Sequence, residues 1–147
     1  FCNLGTAKLD VNSAYRRVPI HPEHRWMAAV VFQALGQVWF SIHKAMPFGF
    51  LAAVYAWERV AVALWTVIVK LLWVPCGKYV DDYFIVEEFG ALESALSAVV
   101  NVFRAVLGHD SLAARKIQYG NPLTLLGFSV SIFSSFARFV LDDAKRD

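Results

Sequence analysis

Cysteine is scarce in this chain. Cys2 and Cys76 stand 74 positions apart with no Cys or His near either at metal-ligand spacing, which excludes a zinc pattern and a disulfide framework. That usage predicts a reduced, intracellular setting, cytoplasmic or nuclear. The start, Phe-Cys-Asn, lacks an initiator Met, and it lacks the basic residues, apolar core and cleavage site of a secretory signal. The expectation is a segment of a longer intracellular protein. Charge of one sign is lacking too: 14 Lys+Arg against 12 Asp+Glu give a net charge of +2, which alone does not announce nucleic acid. Val60 to Val74 is apolar but broken by Lys70, and its longest uncharged run, Val60 to Val69, falls short of the roughly 18 residues of a membrane span. No membrane partner is therefore expected. Internal repeats and low-complexity linkers are absent.

What is present is apolar. At 147 residues and 58% hydrophobic content, the chain is about one domain with large faces to bury. Its organising stretch is Tyr79-Val80-Asp81-Asp82, set between the apolar runs Leu71 to Val74 and Tyr83 to Val86. That pattern predicts a β-hairpin with two carboxylates at its tip. Adjacent carboxylates resist joint ionisation, so protons or a divalent cation must compensate them.

In chain order, Thr6 to Val11 alternates, with Ala7, Leu9 and Val11 on one face and Lys8 and Asp10 on the other, as a strand does. Asn12-Ser13-Ala14 follows as a turn whose hydroxyl and backbone N–H groups can face an anion. Met27 to Gln33 and Gln37 to Ile42 read as a hairpin across Ala34-Leu35-Gly36. A helix from Leu51 to about Lys70 is expected to bury Val54, Trp57, Ala61, Leu64, Trp65 and Ile68. Glu87 to Gly90 reads as a turn, and a second helix, Leu92 to Leu107, carries Leu92, Leu96, Val99, Phe103 and Val106 on one face and stops at Gly108. Lys116 to Tyr119 reads as a short strand, and Leu123 to Ser131 as a strand pairing with Arg138 to Leu141. Asp142-Asp143 reads as the N-cap of a helix cut short within 142–147. The order implies an α+β fold, an antiparallel sheet with two helices packed on one face.

These motifs in this order resemble the palm of a retroelement reverse transcriptase. The resemblance rests on Leu9-Asp10-Val11-Asn12-Ser13-Ala14-Tyr15-Arg16-Arg17-Val18-Pro19-Ile20, Met46-Pro47-Phe48-Gly49-Phe50, Tyr79-Val80-Asp81-Asp82, Lys116, and Leu125-Leu126-Gly127-Phe128. The wording is closest to gypsy-like and DIRS-like retrotransposons. It implies a ferredoxin/RRM-like polymerase palm over residues 1–141, with fingers, thumb and RNase H regions elsewhere in a polyprotein. The implied activity is RNA-directed DNA synthesis on a primed RNA or DNA template from dNTPs, assisted by two Mg²⁺ ions, with Mn²⁺ as a substitute. Asp10 and Asp81 would be the bridging ligands and Asp82 a supporting one. Setting those three acids against metal would leave an excess of five positive charges for a polyanion.

The same resemblance implies further roles. Ser13, Ala14, Tyr15, Phe48 and Gly49 would contact the incoming nucleotide, with Tyr15 as a steric gate against a ribose 2′-hydroxyl. Lys116 would protonate or electrostatically stabilise departing pyrophosphate, and Leu126-Gly127-Phe128 would grip the primer terminus. Val54 departs from the family pattern, standing where many members have Pro, which predicts a more regular helix start. The four histidines show no ligand spacing. An RNA-dependent RNA polymerase palm shares the paired acids but not the aromatic gate; a non-catalytic remnant or domesticated nucleic-acid or protein interaction module is the alternative of a different class.

Overall fold

In a computed structural model, residues 3–133 and 135–141 are described. The elements in chain order are β1 (Leu4–Asp10), β2 (Ala29–Ala34), β3 (Gln37–Ile42), α1 (Leu51–Thr66), β4 (Cys76–Tyr79), β5 (Asp82–Glu88), α2 (Phe89–Leu107), β6 (Gln118–Gly120), β7 (Leu123–Leu125), β8 (Phe128–Ile132) and β9 (Ala137–Leu141). The result is a mixed α+β chain with antiparallel sheets, in two compact units: one takes the chain up to Asn12 and from Val62 onward, the other Ser13–Ala61.

The larger unit is built on a four-stranded antiparallel sheet ordered β4-β5-β1-β6. The strand alternation read from the sequence holds: Ala7 and Leu9 of β1 and Tyr83 and Ile85 of β5 are buried on one face. Helix α2 packs against β1 and β5 and buries Leu92, Leu96, Val99 and Phe103. Each such side chain contributes roughly 1.5–3 kcal/mol of burial. The Phe103 ring meets Tyr83 edge-on, with centroids 4.7 Å apart. Strand β1 approaches α2 so closely at Gly5 that a Cβ there would come within 2.8–2.9 Å of the Phe89 and Leu92 side chains. Gly108 ends α2 at φ 98°, its N–H donating to the Arg104 carbonyl, the C-terminal stop that glycine accommodates. Val106, expected on the buried stripe, is exposed.

A second, three-stranded sheet, β7-β8-β9, belongs to the same unit. Leu126-Gly127 is a two-residue turn between β7 and β8, so Leu123 to Ser131 is two strands rather than one. The Asn121 side chain ties this sheet to the first, donating to the carbonyls of Leu4 and Ile132 and accepting from the Ile132 N–H. The Asp142-Asp143 cap lies outside the described residues.

Four local expectations are corrected. The apolar run Leu71 to Val74 is not an arm of the hairpin: the helix ends, through a π-helical turn Val67–Leu71, close to the expected end at Lys70, and the hairpin strand, read from the sequence as starting near Lys78 after Pro75 and Gly77, starts at Cys76, beyond Trp73, whose φ is 56°. Glu87 to Gly90 is not a turn either, because β5 runs through Glu88 straight into α2 at Phe89. The strand expected at Lys116 starts at Gln118, since residues up to Lys116 form a 3₁₀ turn. On α1 the buried row is Ala53, Trp57, Ala61 and Leu64, continued by Ile68, while Val54 is exposed; the four-residue step from Trp57 back to Ala53 keeps one face, and Val54 lies beside it.

Helix α2 supplies one of the two helices expected on the sheet. Near the C-terminal end of α1, the Trp65 indole N–H donates to the Cys76 carbonyl at 2.6 Å. Counted as helices rather than uncharged runs, Leu51–Leu71 and Phe89–Leu107 are each long and apolar enough to cross a bilayer, which widens the expectation drawn from Val60–Val69.

The smaller unit holds the β2–β3 hairpin, closed by Leu35-Gly36 in a two-residue turn. Before it, Pro22–Ala28 forms a 3₁₀ helix, and Pro19 bridges to Ala45.

Candidate functional site

Strand register assembles the acidic residues of the larger unit. Asp10, the last residue of β1, stands directly opposite Asp82, the first of β5. One residue on, the Val11 N–H donates to the Asp81 carbonyl at 3.0 Å. Asp81 lies in the two-residue β4–β5 turn beside Val80, whose φ of 52° is strained for a β-branched residue. The chain after α2 then lies along the end of β1: Asn12 N–H donates to Ser111 O and Ala113 N–H to Asp10 O. That path delivers Lys116, whose Nζ sits 2.7 Å from Asp10 Oδ2. Residues far apart in sequence thus meet at one end of the sheet.

Lys8 also enters this site. Two residues before Asp10 on β1, it shares that residue's face, and its Nζ lies 3.3 Å from Asp82 Oδ1. Lys8, Asp10, Asp82, Arg115, Lys116 and Gln118 line a polar cavity of about 330 Å³. Lys8, Arg115 and Gln118 had no part in the motif reading. For Lys8 the signal was available, since period-two alternation already puts it beside Asp10; nothing local marks Arg115 or Gln118.

The electrostatics follow from the crowding. Burial, and then the charges of Asp10 and Asp82, push the Asp81 carboxyl above its ordinary range, against lowering by its own backbone and by Lys116. Lys116 is held above the ordinary lysine range by its hydrogen bond to Asp10 and by the same acidic charges. Among the described residues no three of His, Cys, Asp or Glu form a ready-made ligand group; Asp10 and Asp82 have lysines as their partners instead. The three carboxylates, set among Lys8, Arg115 and Lys116, are the groups that would suit a hard divalent cation, with Asp81 disfavoured as an anion by burial and then by its acidic neighbours. A cation approaching Asp10 would replace Lys116, which is more than half exposed.

In the smaller unit, Ser13 adopts the left-handed conformation at φ 55° and caps a 3₁₀ turn, Ala14–Arg17, in which Ala14 is buried. Tyr15 is half-buried, and its ring packs against Phe48 at 5.8 Å between centroids, tilted by 45°. Phe48 is otherwise exposed. Gly49 has φ 91° with nothing within 4 Å of a built Cβ, so its backbone conformation, not a close approach within the fold, requires glycine. His21 and His24, given no role, line an apolar cavity of about 420 Å³ with Met27, Met46 and Phe50. In the larger unit Leu126 and Gly127, at φ 51° and 85°, form the β7–β8 turn, and Phe128 starts β8 opposite Leu125 and Leu141.

Cys76 is a free thiol pushed up to about 12 by burial, which leaves it protonated and unreactive at neutral pH. No protein-family model matches the chain, and no curated protein matches it.

Proposed function

We propose that this chain is the palm segment of an RNA-directed DNA polymerase, acting within a longer retroelement polyprotein on a primed template with dNTPs. The observation that carries the reading is the meeting of three separate motifs at one sheet end: Asp10 opposite Asp82, Val11 bonded to Asp81, and Lys116 on Asp10. Their convergence is not required by any local pattern. It is what nucleotidyl transfer needs.

Asp10 and Asp81 would hold the Mg²⁺ ions, with Asp82 as the supporting acid. Bound there, the metal would make the primer 3′-hydroxyl nucleophilic and stabilise the leaving pyrophosphate. The protein's own part is to hold the carboxylates together at the cost of a strained Val80 and a disfavoured Asp81 anion. Lys116 supplies a permanent positive charge. Because an ordinary lysine already keeps its proton well above neutral pH, electrostatic stabilisation of pyrophosphate fits it better than proton donation, which favours a group titrating near the working pH. By the resemblance, Tyr15, whose ring packs against Phe48, would be the gate against ribonucleotides, and Ser13, Ala14, Phe48 and Gly49 would contact the incoming nucleotide. The Leu126-Gly127-Phe128 turn would bear on the primer end. Fingers, thumb and RNase H regions would come from the rest of the polyprotein.

One observation favours the non-catalytic alternative, a remnant or interaction module: both Asp10 and Asp82 are already neutralised by lysines. Template-primed dNTP incorporation by the longer polymerase separates the two. Incorporation with Mg²⁺ or Mn²⁺ that Asp81→Asn abolishes supports the proposal; no incorporation by the wild type, or full incorporation by Asp81→Asn, overturns it. The 147-residue chain alone is expected to bind primer-template weakly and synthesise little.

A further inference from the structure

The two lysines at the acidic site are not equivalent. Lys116 ends a short 3₁₀ turn and its side chain is 53% exposed, so it can swing away into solvent at little cost. Lys8 projects from the middle of β1, which is paired to β5 on one side and to β6 on the other. There it faces Phe84 and Gln118 across the two ladders and lies diagonal to Asp82, within reach of a long side chain. The Lys8 and Asp82 side chains are only 23% and 21% exposed. Moving Lys8 off Asp82 would leave a partly buried charge on each without its partner. A divalent cation placed on Asp82 would also be repelled by the Lys8 ammonium beside it.

We infer that Lys8 is a positioning residue that keeps Asp82 in an ion pair and withholds it from the divalent cation, leaving Asp10 and Asp81 as the acidic ligand pair. The inference rests on the proposed cation site and narrows it from three acids to two. It gives Asp82 an electrostatic role, in which its charge, neutralised by Lys8, stays next to Asp81 without entering the ligand set. Lys116 is the mobile cation of the pair, released from Asp10 when a metal arrives.

The test is Mn²⁺ binding to the 147-residue chain by titration calorimetry, with circular dichroism to verify folding. Lys8→Met removes a positive charge and frees a third carboxylate, so Mn²⁺ should bind at least about tenfold more tightly. Lys8→Arg should match the wild type, since it retains the ion pair, and Lys8→Met combined with Asp82→Asn should lose the gain. Should Lys8→Met fail to fold, Lys8→Gln serves as the neutral variant. Without metal, a double-mutant cycle on Lys8 and Asp82, read from urea unfolding, should show favourable coupling. A neutral Lys8 variant that binds Mn²⁺ no more tightly than the wild type overturns the inference, as does Asp82→Asn alone abolishing binding to a wild type that binds; neither result touches the cation site itself. Mn²⁺ bound by neither the wild type nor a neutral Lys8 variant overturns the inference, while the proposed function stands or falls on incorporation by the longer polymerase.

Discussion

Replacing Phe103 by Ala tests the packing that holds the acidic hairpin in place. The ring is fully buried on α2 and meets Tyr83 edge-on at 4.7 Å. Tyr83 follows Asp82 in β5 and points to the opposite face of the sheet, so this contact supports the hairpin strand from beneath. Truncation removes the transfer energy of most of a phenyl ring and leaves a cavity that its neighbours only partly fill, about 3–5 kcal/mol for a buried Phe. The edge-to-face pair adds about 0.5–1.5 kcal/mol within that total. Set against about 5–15 kcal/mol for a whole domain, the loss should bring the chain close to unfolding at room temperature. Val106→Ala is the control: on the same helix but 63% exposed, it should change stability by no more than about 0.5 kcal/mol. Urea unfolding followed by circular dichroism measures both. A Phe103→Ala cost under about 1 kcal/mol, or one no larger than that of Val106→Ala, would refute the packing of α2 on β1 and β5.

The Asp81 carboxyl is raised above its ordinary value of 3.8, chiefly by burial, so the folded state binds its proton more strongly than the unfolded state does. Stability should therefore fall as pH rises from the ordinary value through the raised one. Asp81→Asn should accordingly raise Tm at about pH 7, with the gain disappearing below about pH 3, where Asp81 is protonated in both states; a gain of equal size at both pH values, or a loss at pH 7, contradicts the assignment. On the proposed function, Tyr15→Ala in the longer polymerase should reduce discrimination against ribonucleotides about tenfold or more, equivalent to about 1.4 kcal/mol between the two transition states. The ratio of kcat/KM for dNTP and rNTP measures it. Equal declines for both substrates would make Tyr15 only the packing partner of Phe48.

Local pattern was enough to determine which residues share a face. Alternation put Lys8 and Asp10 opposite Ala7 and Leu9, a helical stripe marked Leu92, Leu96, Val99, Phe103 and Val106, and Gly108 marked the end of α2; all but Val106, which is exposed, stand in the fold. Such signals survive because 2.0- and 3.6-residue periods are properties of the chain itself. They weaken at element ends, where competing conformations differ little in energy: hence a 3₁₀ turn at Lys116 in place of a strand, and Ala53 rather than Val54 on the buried row of α1.

Only the tertiary structure decided which strands lie side by side. The order β4-β5-β1-β6, the placing of Asp10 against Asp82, and the Lys8–Asp82 and Lys116–Asp10 pairs all depend on partners distant in sequence. Register between strands is chosen by burial of one whole face against a helix, since a slip of one residue would turn Leu9 and Tyr83 outward and the charged residues into the core. Sequence marked Asp81-Asp82 as a tip that needs positive charge nearby. Folding determined that Lys8 and Lys116 are the cations that provide it here, because strand pairing and the return of the chain after α2 bring them within reach.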